Sequence, residues 1–288
     1  MINTPPEKNE KKLDILLVGQ VHRDEFADAI VFLCRLGEVH LTPRLEEATR
    51  QIRQGSVLPQ LVVLLQSRPG EFLDSKVHKL RAAAPLARLV TLLGSWCEGE
   101  MRTGVPLQGM VRLYWHEWEP VCDRELARLL EEKNASKPAT TTVSTWAMPV
   151  TASDEERLLA NRQVHLPPGS GLVAIDSASP AMASWMADAC EQQGYSVFLS
   201  GCHREKIADL RGVDVVIVDA SEGNPSERAR IKKLQARWPS ARMMVLLDFP
   251  RICQRRELQQ QGVATIVSKP ITLEALLWHV GQLALINT

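Results

Sequence analysis

The segment "GVDVVIVDASEGNP", residues 212–225, decides the fold class of this chain. Its run of β-branched residues ends on an acid, Asp219, and glycine and polar residues follow. A continuous apolar run is typical of a strand that is buried on both faces, as in a parallel sheet. Because such sheets bind ligands at the carboxyl ends of their strands, Asp219 is predicted to lie at the edge where chemistry takes place.

Predicted strands, several of them apolar throughout, alternate with helical periodicity in two separate parts of the chain. The first part contains "DILLVG", "EVHLT", "LPQLVVLLQ", "ARLVTLLG" and "GMVRLYW", and the second contains "GLVAID", "YSVFLS", "VDVVIVD", "ARMMVLLD" and "VATIVS". Helical patterns lie between them, and the one at 179–194 has Ser179 as N-cap, Pro180 in its first turn and Gly194 at its end. The pattern predicts two α/β domains, each with a doubly wound, five-stranded parallel sheet.

The domain limits follow from a change in composition at 134–153, which is rich in Ser, Thr, Ala and Pro and has no periodicity. Such a segment is typical of an exposed linker. Ser153 and Glu156 form a capping-box pair, which predicts a short helix at 153–163. The segment "REKIADLRG" predicts another helix at 204–212. The predicted divisions are a disordered N-terminus at 1–12, a first domain at 13–130, a linker at 131–168 and a second domain at 169–288.

Composition and motifs exclude several classes of function. The 34 basic and 34 acidic residues leave no net charge to attract nucleic acid or an anionic membrane. The first apolar run is too short for a signal peptide or a membrane span, so we expect a cytoplasmic protein. Neither zinc-binding spacing nor a phosphate-binding loop, GxSxG, HExxH or GxGxxG motif is present, and no helix-turn-helix follows the second domain. We therefore expect neither an enzyme nor a DNA-binding protein, and rank a flavodoxin-like enzyme last.

Four landmarks of the second domain occur in the order of a known family. They are "LVAIDS" (172–177), "GYSVFLS" (194–200), "VDVVIVD" (213–219) and "GVATIVSKP" (262–270). Over residues 171–286 the chain resembles the receiver domain of two-component response regulators. The resemblance implies a flavodoxin-like, receiver-type fold and a role in phosphorelay signal transduction.

The resemblance also implies roles for individual residues. Asp219 takes the position of the phosphoacceptor, Lys269 that of the lysine that binds a phosphoryl oxygen, and Pro270 that of a cis-proline. Asp176, together with Asp219, takes the position of the acids that hold Mg²⁺. The chemistry requires such a set, because a carboxylate that attacks a phosphoryl group needs cations to offset its charge.

The second domain departs from the family pattern at three places, one of which is the loop after Asp219, "ASEGNPSE", where the usual Met-Pro-Gly turn is missing. Ser177 stands where a second metal-binding acid is expected, and a hydroxyl is a weaker ligand, so Mg²⁺ is expected to bind weakly. Leu247, or Asp248 after a shift of one residue, stands at the switch position where the family has a hydroxyl, which indicates degeneracy. Glu222, in the loop after Asp219, is one candidate for a compensating carboxylate.

The first domain reads as a degenerate copy. An offset of 153 aligns three positions without a gap: Gln66 with Asp219, Gly94 with Leu247, and His116 with Lys269. The end of the first strand, Gly19–Gln20, matches Asp176–Ser177 with a different offset, and Leu65 is the alternative to Gln66. Since these positions offer neither acid, hydroxyl nor lysine, we predict a pseudo-receiver that does not accept phosphate.

The expected function is therefore signal transduction by two tandem receiver-like domains. The second domain accepts phosphate from a histidine kinase, and the first is an interaction module. The alternative is a phosphorylation-independent adaptor with two pseudo-receiver domains. The implied partners are a histidine kinase or a downstream effector, with homodimer formation left open. The aromatic segment "YWHEWEP" (114–120) predicts either an exposed patch for a partner or packing against the last helix of the first domain.

Overall fold

The computed structural model describes residues 13–100, 104–107, 110–118, 121–122, 125, 166, 168–200 and 212–285. The chain divides into two compact units, one formed mainly by its first half and one mainly by its second. The predicted segment 1–12, the short helix at 153–163 and nearly all of the linker and of the helix at 204–212 lie outside the described residues. The domain limits therefore stay predictions.

The first unit is built on one five-stranded sheet whose strands are all parallel. Its strands are β1 (Leu13–Gly19), β2 (Gly37–Thr42), β3 (Leu61–Gln66), β4 (Arg88–Leu93) and β5 (Val111–Tyr114), in the order β2-β1-β3-β4-β5. Its described helices are α1 (Ala27–Leu36), α2 (Leu45–Arg53) and α3 (Asp74–Ala83), with short 3-10 helices at Asp24–Phe26 and Ser95–Cys97.

The second unit repeats this arrangement. Its strands are β6 (Leu172–Asp176), β7 (Ser196–Leu199), β8 (Val215–Asp219), β9 (Arg242–Asp248) and β10 (Thr265–Lys269), and its described helices are α4 (Pro180–Gln193), α5 (Pro225–Arg237), α6 (Ile252–Gln260) and α7 (Leu273–Leu285). The strand order is β7-β6-β8-β9-β10, again all parallel. Both sheets thus have the 2-1-3-4-5 order of the flavodoxin-like fold, which confirms the predicted fold class.

The apolar run of β8 is explained by burial on both faces of its sheet. Val215 and Ile217 belong to one apolar cluster with α4 and α7. Val216 and Val218 belong to a second cluster with α5 and α6. Because successive side chains of a strand point to opposite faces, a strand covered on both sides needs apolar residues at every position.

Helix α4 has the limits that the sequence predicts. The Ser179 hydroxyl accepts a hydrogen bond from the Met182 backbone N–H at 3.4 Å, and Pro180 occupies the first helical position. Gly194 ends the helix with φ of 107°, a left-handed conformation that favours glycine. The helix therefore begins and ends at positions set by local chemistry.

The strand registers support the sequence offset between the two units. In the first sheet, Gln66 pairs with Leu93 and Leu93 with Tyr114; in the second, Asp219 pairs with Leu246 and Leu246 with Val267. Each residue in the first set of paired residues is 153 positions before its counterpart in the second. At the ends of the first strands the offset is different, as expected. Gly19 pairs with Leu65 in the first unit, and Asp176 pairs with Val218 in the second. Gln66 therefore holds the place that Asp219 holds in the other unit.

Among the helices that the structure describes, none is long and apolar enough to cross a lipid bilayer.

Candidate functional site

The candidate site of the second unit forms at the carboxyl ends of β6, β8, β9 and β10. Asp219 ends β8, and only 11% of its side chain is exposed. Lys269 ends β10 and reaches across β9, so that its Nζ donates a hydrogen bond to Asp219 Oδ1 at 2.7 Å. The topology thus brings together two residues that are 50 positions apart and that the sequence assigned to one site.

Ser177 engages the other oxygen of the same carboxylate. Its hydroxyl lies just past the end of β6 and donates to Asp219 Oδ2 at 2.6 Å. The Ser177 oxygen also accepts a hydrogen bond from the Ser179 backbone N–H at 3.1 Å. Ser177 therefore orients Asp219 at the position where an acidic metal ligand was expected.

Arg230 is a site residue that the sequence did not predict. It extends from α5, and its Nη1 lies 3.3 Å from Asp176 Oδ1. Its Nη2 donates a hydrogen bond to the backbone oxygen of Asp219. The guanidinium thus bridges the ends of the two neighbouring strands β6 and β8.

One signal in the sequence points to Arg230. It precedes the buried Leu234 by four residues, which places both on one face of α5. It also lies in the second turn of the helix that follows Asp219. In "SERARIKK", however, four basic residues lie close together, and periodicity alone does not single one out.

Burial and charge change the proton affinities of the site. Burial raises the pKa of Asp176 above its usual value, the nearby Arg230 guanidinium partly offsets this, and the charge of Asp219 adds to the rise. Burial by itself lowers the pKa of Lys269, but hydrogen bonds and charge from Asp219 and Asp248 outweigh it, so the pKa is raised overall. Lys269 is therefore held in its cationic form at neutral pH.

The end of β9 offers a carboxylate to the site instead of a hydroxyl. Leu247, the predicted switch residue, is fully buried in the core cluster between the sheet and α5 and α6. The Asp248 carboxylate lies 3.1 Å from Lys269 Nζ. Of the two alternatives for this position, Asp248 is the one whose side chain contacts a site residue.

Two further predicted residues have clear positions. The Lys269–Pro270 peptide bond is cis, at the position expected for a cis-proline. Glu222 is exposed, and its backbone N–H and backbone oxygen bind Glu227 and Gln254. Among the described residues, no contact joins its carboxylate to Asp219, so it does not replace the missing acid.

The fit of the site to Mg²⁺ can be judged from its donors. Asp176 and the backbone oxygen of Asp219 already contact Arg230, and the Ser177 hydroxyl is bonded to Asp219. A hard divalent cation needs several such oxygens at once. With Arg230 in place, these residues do not fit a bound Mg²⁺ ion.

A different group of side chains could hold a metal ion in the first unit. Asp14, Glu38 and His40 offer ligand atoms that all lie within 4.8 Å of one another on β1 and β2. Glu38 is largely exposed, and Asp14 and His40 are partly exposed. Exposed acidic groups often lie this close without a bound metal. The group also belongs to the first unit, whereas Asp219 belongs to the second.

The equivalent site of the first unit is filled by a buried hydrogen-bond network. Gln66 is 2% exposed and donates from Nε2 to Glu100 Oε1 at 2.8 Å. Glu100 Oε2 accepts from Arg112 at 2.6 Å, and only 1% of the Glu100 side chain is exposed. The amide at the position of Asp219 is therefore fixed by a buried acid and a cation, neither of which the sequence singled out.

A second buried carboxylate, Glu25, occupies the space beside Gly94. Glu25 Oε2 accepts hydrogen bonds from both the backbone N–H and the hydroxyl of Ser95, each at 3.0 Å. A Cβ atom added to Gly94 would lie 2.3 Å from Glu25 Oε1. At the position that aligns with Leu247, this unit thus has a glycine and, beside it, the carboxylate of Glu25.

The aromatic segment after β5 is packed into the structure. Trp115 and Trp118 are 4% and 1% exposed, so the prediction of an exposed patch formed by these two residues is wrong. His116 lies between Tyr114 and Trp115, stacked on the first ring and edge-on to the second, and its Nε2 is 3.8 Å from Glu98. Most of the helix predicted to cover this segment lies outside the described residues.

Similarity to known proteins is found among solved structures. No model of a known protein family matches the chain, and no curated protein matches it in sequence. Among solved structures, a response regulator from Thermotoga maritima is 20% identical, with 40% of this chain and 98% of the other covered and a TM-score of 0.34. A CheY-like receiver domain protein from Methanospirillum hungatei JF-1 is 14% identical, with 41% and 97% covered and a TM-score of 0.36.

A third solved structure carries ligands. It is a response regulator protein from Burkholderia pseudomallei with a phosphorylated aspartic acid, a calcium ion and citrate. It is 25% identical, with 37% of this chain and 64% of the other covered and a TM-score of 0.33. The chain has two units of flavodoxin-like fold, and the solved structures to which it is similar include response regulators and their receiver domains.

Proposed function

We propose that this chain is a signal-transduction protein whose second domain accepts a phosphoryl group on Asp219. The observation that carries the proposal is the 2.7 Å contact between Lys269 Nζ and Asp219 Oδ1 at the carboxyl edge of a doubly wound sheet. A lysine in this position offsets negative charge on the carboxylate and can bind an oxygen of a phosphoryl group attached to it. The first domain, whose site is filled, acts as an interaction module.

The proposed transfer is simple in its bonds. An oxygen of Asp219 attacks the phosphorus of a phosphohistidine on a kinase, the P–N bond breaks, and the imidazole leaves with a proton from solvent. The product is an acyl phosphate on Asp219. The Ser177 hydroxyl binds Oδ2 of Asp219, and the Lys269 ammonium binds Oδ1. The hydrogen bond from Ser177 is the weaker of the two because its donor is neutral, so Oδ2 is the oxygen that is released first.

A second function is favoured by a specific observation. Asp219 is hydrogen-bonded to Ser177 and Lys269, Asp176 is paired with Arg230, and β9 ends on Asp248 rather than on a hydroxyl. A site complete in itself suits a phosphorylation-independent adaptor whose partners bind the folded domains directly. In that case Asp219→Asn should leave partner binding unchanged.

A small-molecule phosphodonor tests the first proposal. Intact-mass analysis of the full chain treated with acetyl phosphate, with and without Mg²⁺, should show the mass of one added phosphoryl group. Asp219→Asn should lose the label, whereas Asp248→Asn, which removes the other acid in contact with Lys269, should keep it. If folded wild-type protein takes no label under either condition, the adaptor function replaces the phosphoacceptor function.

The proposal extends to location and partners. We place the protein in the cytoplasm and expect a histidine kinase or a downstream effector as partner, with a homodimer as a further possibility. These expectations rest on the sequence resemblance and on the preserved pair of Asp219 and Lys269.

A further inference from the structure

We infer that Arg230 is a built-in cation of the Asp219 site and that it replaces the divalent metal, so that chemistry at Asp219 is independent of metal. This inference deepens the function proposed above, and its phosphoryl part rests on it. The position of Arg230 among the site oxygens does not depend on that function.

The contacts of Arg230 are those that a metal ion would require. Its guanidinium joins a carboxylate oxygen of Asp176 to the backbone oxygen of Asp219. Carboxylate and carbonyl oxygens are the ligands of hard divalent cations in proteins. Arg230 places a positive charge beside both of these oxygens, so a divalent cation binding there would be repelled by the guanidinium or would have to displace it.

The charge balance of the site supports the same conclusion. Asp176 and Asp219 are its two most buried carboxylates, each with 11% of the side chain exposed. Arg230 and Lys269 match them one to one, with 28% and 15% of their side chains exposed. The remaining acid, Asp248, is 48% exposed and therefore needs no buried partner. Little negative charge is left to attract a divalent ion.

Arg230 has one donor that forms no hydrogen bond within the described residues. That donor is its buried Nε–H. A phosphoryl group adds three acceptor oxygens and additional negative charge. The Arg230 guanidinium and the Lys269 ammonium are already in the site. They can stabilise that charge through charge-assisted hydrogen bonds to phosphate oxygens.

Metal binding to variants of the full chain tests the exclusion. For wild type, Mg²⁺ at millimolar concentration should not change the thermal midpoint of the second domain beyond the effect of a potassium salt at equal ionic strength. Arg230→Ala should lower that midpoint, and Mg²⁺ at about ten times its dissociation constant should raise it again by about 5 °C. Arg230→Gln, which removes the charge with less loss of packing, should also gain a response to Mg²⁺.

Two controls assign the response to this site. The double variant Arg230→Ala/Asp176→Asn should lose the response, because a metal ligand is gone. Lys232→Ala, an exposed change on the same helix, should behave as wild type. Any metal held by Asp14, Glu38 and His40 contributes equally to all variants and cancels in the comparison. The inference is overturned if wild type responds as Arg230→Ala does, or if neither folded Arg230 variant responds.

The labelling experiment separates this inference from the proposed function. If Asp219 takes a phosphoryl group equally well with Mg²⁺ and with EDTA, metal independence is supported. If labelling requires Mg²⁺, metal independence is overturned while the phosphoacceptor function stands. If no label appears but only the Arg230 variants bind Mg²⁺, the phosphoacceptor function fails while the exclusion of metal by Arg230 stands.

Discussion

Replacing Glu100 with alanine should lower the free energy of unfolding of the first domain by about 3–5 kcal/mol. The change removes a carboxylate that accepts hydrogen bonds from Gln66 and Arg112, and only 1% of its side chain is exposed. The Arg112 side chain is 17% exposed, so its charge would be left largely buried without a counterion. Breaking a buried ion pair on one side is costly because the remaining charge loses both water and partner.

Glu47 offers a matched control for this prediction. It also binds an arginine and a glutamine, Arg50 at 3.0 Å and Gln51 at 3.4 Å, but on the surface of α2. Its side chain is 41% exposed and that of Arg50 is 62% exposed, so Glu47→Ala should cost less than about 1 kcal/mol. Denaturant unfolding of the full chain, with hydrogen exchange assigning each transition to a domain, measures both. Equal effects of the two changes would show that burial of the Glu100 network is not what stabilises the domain.

Acidification should destabilise the second domain through His279. This residue of α7 is 5% exposed, and its Nε2 has no hydrogen-bond partner among the described residues. Burial, with a smaller effect from the charge of Arg255, lowers the pKa of His279 to about 4. Between pH 6.5 and pH 4 the unfolded chain therefore binds a proton at this position that the folded domain does not. Stability is complete above pH 6.5 and should fall by up to about 3 kcal/mol as the pH drops to 4.

The variant His279→Leu isolates this effect. It removes the titrating group and the buried unpaired nitrogen, so it should be at least as stable as wild type at pH 7 and more stable at pH 4.5. Carboxylates titrate in both proteins, so the difference between their pH profiles reports His279. His22→Leu, at an exposed position, should leave the profile unchanged. Parallel profiles for His279→Leu and wild type would contradict a depressed pKa.

Much of the fold could be predicted from the sequence because its signals are local. The central strands of the two sheets are short apolar runs, and α4 carries its own limits in Ser179, Pro180 and Gly194. The offset between the two units could be predicted as well. Paired residues such as Gln66 with Leu93 and Asp219 with Leu246 lie at or near the ends of neighbouring strands, and those ends are visible in the sequence. Parallel strands covered on both faces leave few other arrangements.

The candidate site could be predicted only where its residues end strands. Asp219 and Lys269 do, and the structure places them in contact. Arg230, Glu25 and Glu100 lie on helices or at their ends, where the direction of one long side chain depends on packing between elements rather than on sequence spacing. The sequence left the placement of Trp115 and Trp118 open for a similar reason, since a cluster of aromatic residues is compatible with either a surface patch or a core.

The close approach of Glu25 to Gly94 has a consequence for any attempt to convert the first domain into a phosphate-accepting one. Introducing a threonine at position 94 would force its Cβ into the Glu25 carboxylate, which lies 2.3 Å from that position. The Gly94→Thr change would have to push the end of the Glu25 side chain aside, and Glu25→Ala removes that obstacle but also the acceptor of Ser95. The two positions are therefore coupled, and changing them together is the direct route before an acid is introduced at Gln66.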